Sequence, residues 1–242
     1  MRSDQQPRTP GAGLRERNKE AKQARIFEAA AELFAREGYA TVTTQQIAER
    51  ADVAIGTLFR YASTKAELLL MVYNEDFRAH LDQGRRLSAT LRSPARDTVP
   101  DVPRWAEPGQ RILALVSPLV LAGRHSDANT AAYQREVMFG EPTERYRQEA
   151  LVLVAELQDA VAAILRSARS PRSDTDRANV TEPLSEAMSD ARGRIAARAV
   201  SNVLHLELAR ATLAHAPNAT LLTDLAAQIN LITCGFCVET PA

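Results

Sequence analysis

Apolar residues recur at helical spacing through most of the chain, and no stretch alternates strictly in the manner of a half-buried strand. Ile26, Ala30, Leu33 and Phe34 define a first helix over about 22–37, and Gly38 supplies its stop signal. Two short helical patterns follow around a tight turn. Thr44 is expected to cap the first, whose Ile47, Ala48 and Ala51 share one face; Asp52 and Val53 make the turn. The second, from Ile55 to Tyr61, buries Leu58 and leaves Ile55, Gly56, Thr57, Phe59, Arg60 and Tyr61 outward or at its edges. After Lys65 a long helix carries Leu68, Leu69, Val72 and Phe77.

The rest reads as a helical body with two interruptions. Pro94, Pro100, Pro103 and Pro108 predict an irregular connector over 93–108, with Trp105 inside it. Helices are expected over about 110–124, kinked at Pro118, then 127–139 and 142–166. A polar loop rich in Ser, Arg and Asp is expected over 167–183, and two helices, 195–214 and 219–236, close the chain. In the last one Leu222, Leu225, Ile229, Ile232 and Phe236 step by three and four, which suits a helix packed along its length, in a core or against a second subunit.

Composition narrows the function classes. A chain of 242 residues with 45% hydrophobic content can bury a substantial core. The net charge of +0 argues against a general nucleic-acid coat, but the charge is unevenly spread: residues 1–65 hold eleven basic and eight acidic side chains, including all three lysines. Residues 1–20 have no apolar periodicity and are expected to form a flexible arm whose Arg15, Arg17 and Lys19, with Lys22, lie beside the first helix, within reach of a DNA groove or phosphates. The polar N-terminus lacks the pattern of a signal peptide, and the apolar run Leu113–Gly123 is too short to span a bilayer, so a cytoplasmic protein without a membrane partner is expected.

Residues 44–65 hold the most specific chemistry. Arg60 has the forked donors that read guanine, Thr57 can bond a base or a phosphate, and Ile55 and Phe59 can meet a thymine methyl. Thr44, Tyr61 and Lys65 suit phosphates, and Gly56 allows the backbone close approach. From Ile26, Ala29, Ala30, Leu33, Phe34 and Gly38, through Thr44, Ile47, Ala48, Val53, Gly56, Thr57 and Leu58, to Tyr61, Lys65 and Leu68, the chain resembles the TetR family of transcriptional regulators. It departs from the family's usual residues at Ala54, Phe59 and Ala62, where Ser, Tyr and Phe are common.

The resemblance implies an all-α fold: an N-terminal three-helix helix-turn-helix domain over 21–72, after the arm, and a larger helical ligand-binding and dimerisation domain over 73–242. It also implies a homodimer on a palindromic double-stranded operator, released by a small-molecule effector, with no enzymatic activity and no cofactor. Its last two helices would build the dimer interface, through Val203, Leu222, Leu225, Ile229, Ile232 and Phe236. Leu115, Leu119, Met138 and Leu153 are candidate pocket lining, and His125 beside Arg124 is a candidate contact for an acidic ligand.

Cys234 and Cys237 leave two alternatives open: a thiol-based redox regulator or redox protein using the pair, or small apolar filling of a core. His80, His125, His205 and His215 stand at no metal-ligand spacing, so no metal is expected. A helical adaptor that does not bind DNA is the remaining alternative.

Overall fold

The computed structural model of the chain describes residues 10–91, 106–169 and 183–237. Among the described residues there are nine helices and no strand: α1 (Pro10–Glu37), α2 (Thr44–Arg50), α3 (Ile55–Leu58), α4 (Lys65–Thr90), α5 (Ala106–Gly123), α6 (Asp127–Phe139), α7 (Arg145–Arg169), α8 (Pro183–Ala214) and α9 (Asn218–Cys237). The fold is all-α. Most of the Pro-rich connector with Trp105, and most of the polar loop, lie outside the described residues. Pro108 does not interrupt a helix; it sits in the first turn of α5, where its missing N–H has no intrahelical partner to lose. Of the arm expected over residues 1–20, residues 10–20 belong to α1, and the rest lies outside the described residues.

Two cores form. In the head, Ile26, Leu33 and Phe34 of α1, Ile47 of α2, Leu58 of α3 and Leu68, Leu69 and Val72 of α4 pack together. That core is completed by the body: Tyr133 and Val137 of α6 and Tyr146 and Ala150 of α7 belong to it. The second core joins Leu81 of α4 to α5, α7, α8 and α9, through Ile112, Val116, Leu157, Leu165, Val200, Leu204, Leu225 and Ile229. Helix α4 thus runs from one core into the other.

Helices α4 and α5 approach each other closely. At Gly84 an added Cβ would lie 1.9 Å from the carbonyl oxygen of Leu115, so the two backbones meet where only hydrogen fits. Pro118 lies inside α5, and the Ser117 hydroxyl donates to the Leu113 carbonyl at 2.6 Å nearby. Helix α9 is long and apolar enough to cross a bilayer by length and composition. Its stripe of Leu221, Leu225, Ile229 and Phe236 is buried in the body's core.

Candidate nucleic-acid interface and effector cleft

The turn between α2 and α3 is built by local chemistry. Thr43, not Thr44, is the cap of α2: its hydroxyl accepts from the Gln46 N–H at 3.2 Å, and the Gln46 side chain accepts from the Thr43 N–H at 2.7 Å. This reciprocal pair needs Gln three residues after the cap, a condition that only the Thr43 register meets. Thr44 is the first helical residue and is half-buried. Asp52 takes φ +53° at the turn, and its carboxylate meets Arg25 of α1 at 3.2 Å. Helix α3 starts without a side-chain cap because Ala54 has none to offer.

As a regular helix α3 is shorter than expected, ending at Leu58. The coil continues as tight turns, with Arg60 N–H donating to Thr57 O and Tyr61 N–H to Leu58 O. Leu58 is fully buried and pins the segment, leaving Gly56, Phe59 and Arg60 exposed. Phe59 keeps 45% of its surface exposed, a large apolar ring on an otherwise polar face. Ile55 and Thr57 are half-buried at the edges. The Tyr61 hydroxyl donates to Lys19 O at 3.3 Å, tying the segment to α1.

Lys65 has another task than phosphate contact. Its Nζ donates to the carbonyls of Tyr39, Val42 and Ala40 at 2.8, 3.0 and 3.4 Å and lies 4.5 Å from the centre of the Tyr39 ring. All three ammonium protons are thereby used in holding the α1–α2 loop onto α4. Lys65→Met is expected to lower stability by about 2 kcal/mol, read from urea unfolding, while leaving the salt dependence of DNA binding unchanged. A weaker salt dependence at full stability would restore the phosphate role.

Body residues absent from the sequence reasoning secure this module. Gly38 ends α1 with φ +82°, and its N–H donates to Phe34 O. The fully buried Asn129 of α6 then donates to the same Phe34 carbonyl at 2.8 Å and accepts from the Tyr39 N–H at 2.7 Å. Helix α1 is therefore capped by a side chain ninety positions further along the chain. Beside it, the Tyr133 hydroxyl donates to Asn74 Oδ1 at 3.0 Å, and Asn74 Nδ2 donates to Tyr146 O at 2.8 Å. The buried Glu67 carboxylate accepts from Tyr146 N–H and from both N–H and hydroxyl of Ser63. Burial holds the Tyr133 phenol protonated far above the usual range. No local pattern marks these polar positions.

A cleft opens between α4, α5, α6 and α8. Tyr73, Phe77, Leu119, Tyr133, Leu204 and Leu208 give it largely apolar walls, and Asp76, His80 and His205 bring a carboxylate and two imidazoles to it. Of the expected lining, only Leu119 is there. Leu115 and Leu153 are buried core residues, and Met138 is half exposed outside the cleft. Arg124 is spent on structure, pairing with Asp127 at 2.7 Å and donating to the Ala216 carbonyl, and His125 does not line the cleft.

The expected dimer residues divide in the same way. Leu225, Ile229 and Phe236 are buried within the subunit, while Val203, Leu222 and Ile232 are half-buried against that core. Among the described residues, the exposed large apolar side chains of the last two helices are Ile195, Leu206 and Leu213 of α8 and Leu231 of α9, 59–82% exposed. The thiols of Cys234 and Cys237 are half-buried and not joined in a disulfide, and the described residues contain no cluster fit for a metal ion.

Residues 26–72 match the family model of bacterial regulatory proteins, tetR family. The HTH-type transcriptional repressor KstR of Rhodococcus jostii (strain RHA1) is 29% identical over 117 residues, 48% of each chain. Its namesake in Mycobacterium tuberculosis (strain ATCC 25618 / H37Rv) is 30% identical over 117 residues, 48% of this chain and 47% of that one. The chain thus matches about half the length of these curated relatives. Among solved structures, Thermus thermophilus FadR, a TetR-family repressor in complex with lauroyl-CoA, superposes with a TM-score of 0.59 at 24% identity, covering 91% of this chain and 98% of that one. SCO4454 of Streptomyces coelicolor, a TetR-family regulator, gives 0.56 at 17% identity, covering 96% and 98%.

Proposed function

We propose that the chain, whose residues 26–72 match the family model of bacterial regulatory proteins, tetR family, is a cytoplasmic transcriptional repressor that binds a two-fold operator as a homodimer and lets go when a small molecule fills the α4–α5–α6–α8 cleft. The observation that carries this reading is the segment after Asp52, where buried Leu58 anchors a short helix that presents Gly56, Phe59 and Arg60 to solvent.

The dimer reading is supported by Leu206, Leu213 and Leu231, which leave an apolar face on α8 and α9 that a second copy would cover. These residues replace the buried stripe of α9 as the proposed contact. The cleft's walls suit an effector with an apolar body. Filling it would press on α6 and α4, both of which also touch the head.

The test is DNA binding by fluorescence anisotropy, with an operator selected from random duplexes and a scrambled control, across a salt series. Selective, salt-dependent binding is expected. Arg60→Ala should weaken the operator complex by about 1–3 kcal/mol and relax preference at one operator position. Equal losses on operator and scrambled DNA would remove the base-reading role, and absence of any selected sequence would reject the repressor.

A further inference from the structure

The cleft between the first half of α1, the end of the recognition segment and the start of α7 is lined by Lys19, Lys22, Arg60 and Arg145, with the hydroxyl-bearing Thr57 and Tyr61, and among the described residues no carboxylate lines it. Acidic side chains are sorted elsewhere along the same seam. The adjoining cleft, reached further along α4, is lined by Glu20, Glu75 and Glu149 with Arg78 and Arg145. The cationic part therefore lies against the DNA-reading end, and the mixed part away from it.

Arg145 is the unexpected member because it belongs to the regulatory body. Its Nε donates to Glu149 Oε1 at 2.9 Å, and its guanidinium lies 5.1 Å from the centre of the Tyr146 ring. These contacts orient the side chain, yet 68% of it stays exposed. An exposed, pre-oriented fork beside two lysines and two hydroxyls has the composition of a phosphate site. Its neighbour, the exposed Arg60, fixes which anion lies closest: the backbone of the duplex that Arg60 reads.

We infer that Arg145, with Lys19 and Lys22, forms a track for the DNA phosphate backbone, so that the regulatory body touches the operator directly and not only through the head. The inference rests on the operator-binding reading above. It gives effector binding a second route to DNA, because any displacement of α7 relative to α1 changes the width of the track.

Each phosphate neutralised adds about 0.9 to the slope of log affinity against log salt. With the full-length protein, the selected operator and the scrambled duplex, Arg145→Gln is expected to lower that slope by about 0.9 on both DNAs and to keep their affinity ratio. Lys22→Gln should do the same. Arg145→Lys should keep the slope, and so should Glu149→Gln, which breaks the ion pair but leaves the cation. Arg198→Gln, on exposed α8 surface, is the null control. An unchanged slope in Arg145→Gln, or an equal fall in Glu149→Gln, overturns the track. A loss on the operator alone would make Arg145 a base reader and also overturns it. Wild-type protein without salt-dependent DNA binding would instead reject the operator reading itself.

Discussion

Gly84→Ala is expected to destabilise the protein by about 3 kcal/mol, although it adds a single methyl group. The added Cβ would lie 1.9 Å from the Leu115 carbonyl oxygen, 2.8 Å from its carbon and 3.1 Å from its Cα. None of these atoms is the tip of a flexible side chain, so relief requires α4 and α5 to move apart. That movement would loosen Leu81, Ile112, Leu115 and Val116, all buried in the body's core. Ala is the better helix former, so propensity alone predicts a gain at this position. A urea midpoint within error of wild type would show that the α4–α5 contact yields without cost.

Asn129→Ala should cost about 2–3 kcal/mol, and the loss should appear first in the head although the mutation is in the body. The Phe34 carbonyl keeps its bond from Gly38 N–H, so the group left without a partner is the Tyr39 N–H. In a helix closed by its own backbone that amide would reach back into the last turn; here the Asn129 oxygen takes it. Hydrogen exchange at the Tyr39 amide should accelerate strongly, with exchange in α8 and α9 unchanged. Unaltered protection at Tyr39 would mean that another acceptor closes α1. DNA affinity should fall together with the exchange protection, because the same loop is held from its other side by Lys65.

What the sequence made legible depends on the range of the interaction responsible. Helix existence, the Gly38 stop and the turn at Asp52 follow from periodicity and backbone preference, which act over a few residues. The cap was expected on Thr44 and lies on Thr43, although Gln46 stands at the position a capping box requires and no such partner follows Thr44. The stripe of Leu225, Ile229 and Phe236 announced a packed helix but not the surface that packs it, and its partners proved to lie in the same subunit. Lys65, a basic residue next to a DNA-reading segment, gave no hint that three carbonyls of the α1–α2 loop surround it. Pocket lining was the least legible feature. Leu115, Leu119 and Leu153 are alike in sequence, and only the crossing of α4, α5, α6 and α8 decides that Leu119 alone faces the cleft.

The cap that Asn129 places on α1 bears on how such proteins can be recombined. A head transplanted onto a foreign body would arrive with its first helix unfinished, because the closing amide stays behind in the donor. Chimeras exchanged anywhere between Tyr39 and Asn129 should therefore recover a firm head only when the recipient's sixth helix offers an amide side chain at the matching turn. Restoring that one residue is the cheapest repair to attempt in a chimera that folds but fails to hold its operator.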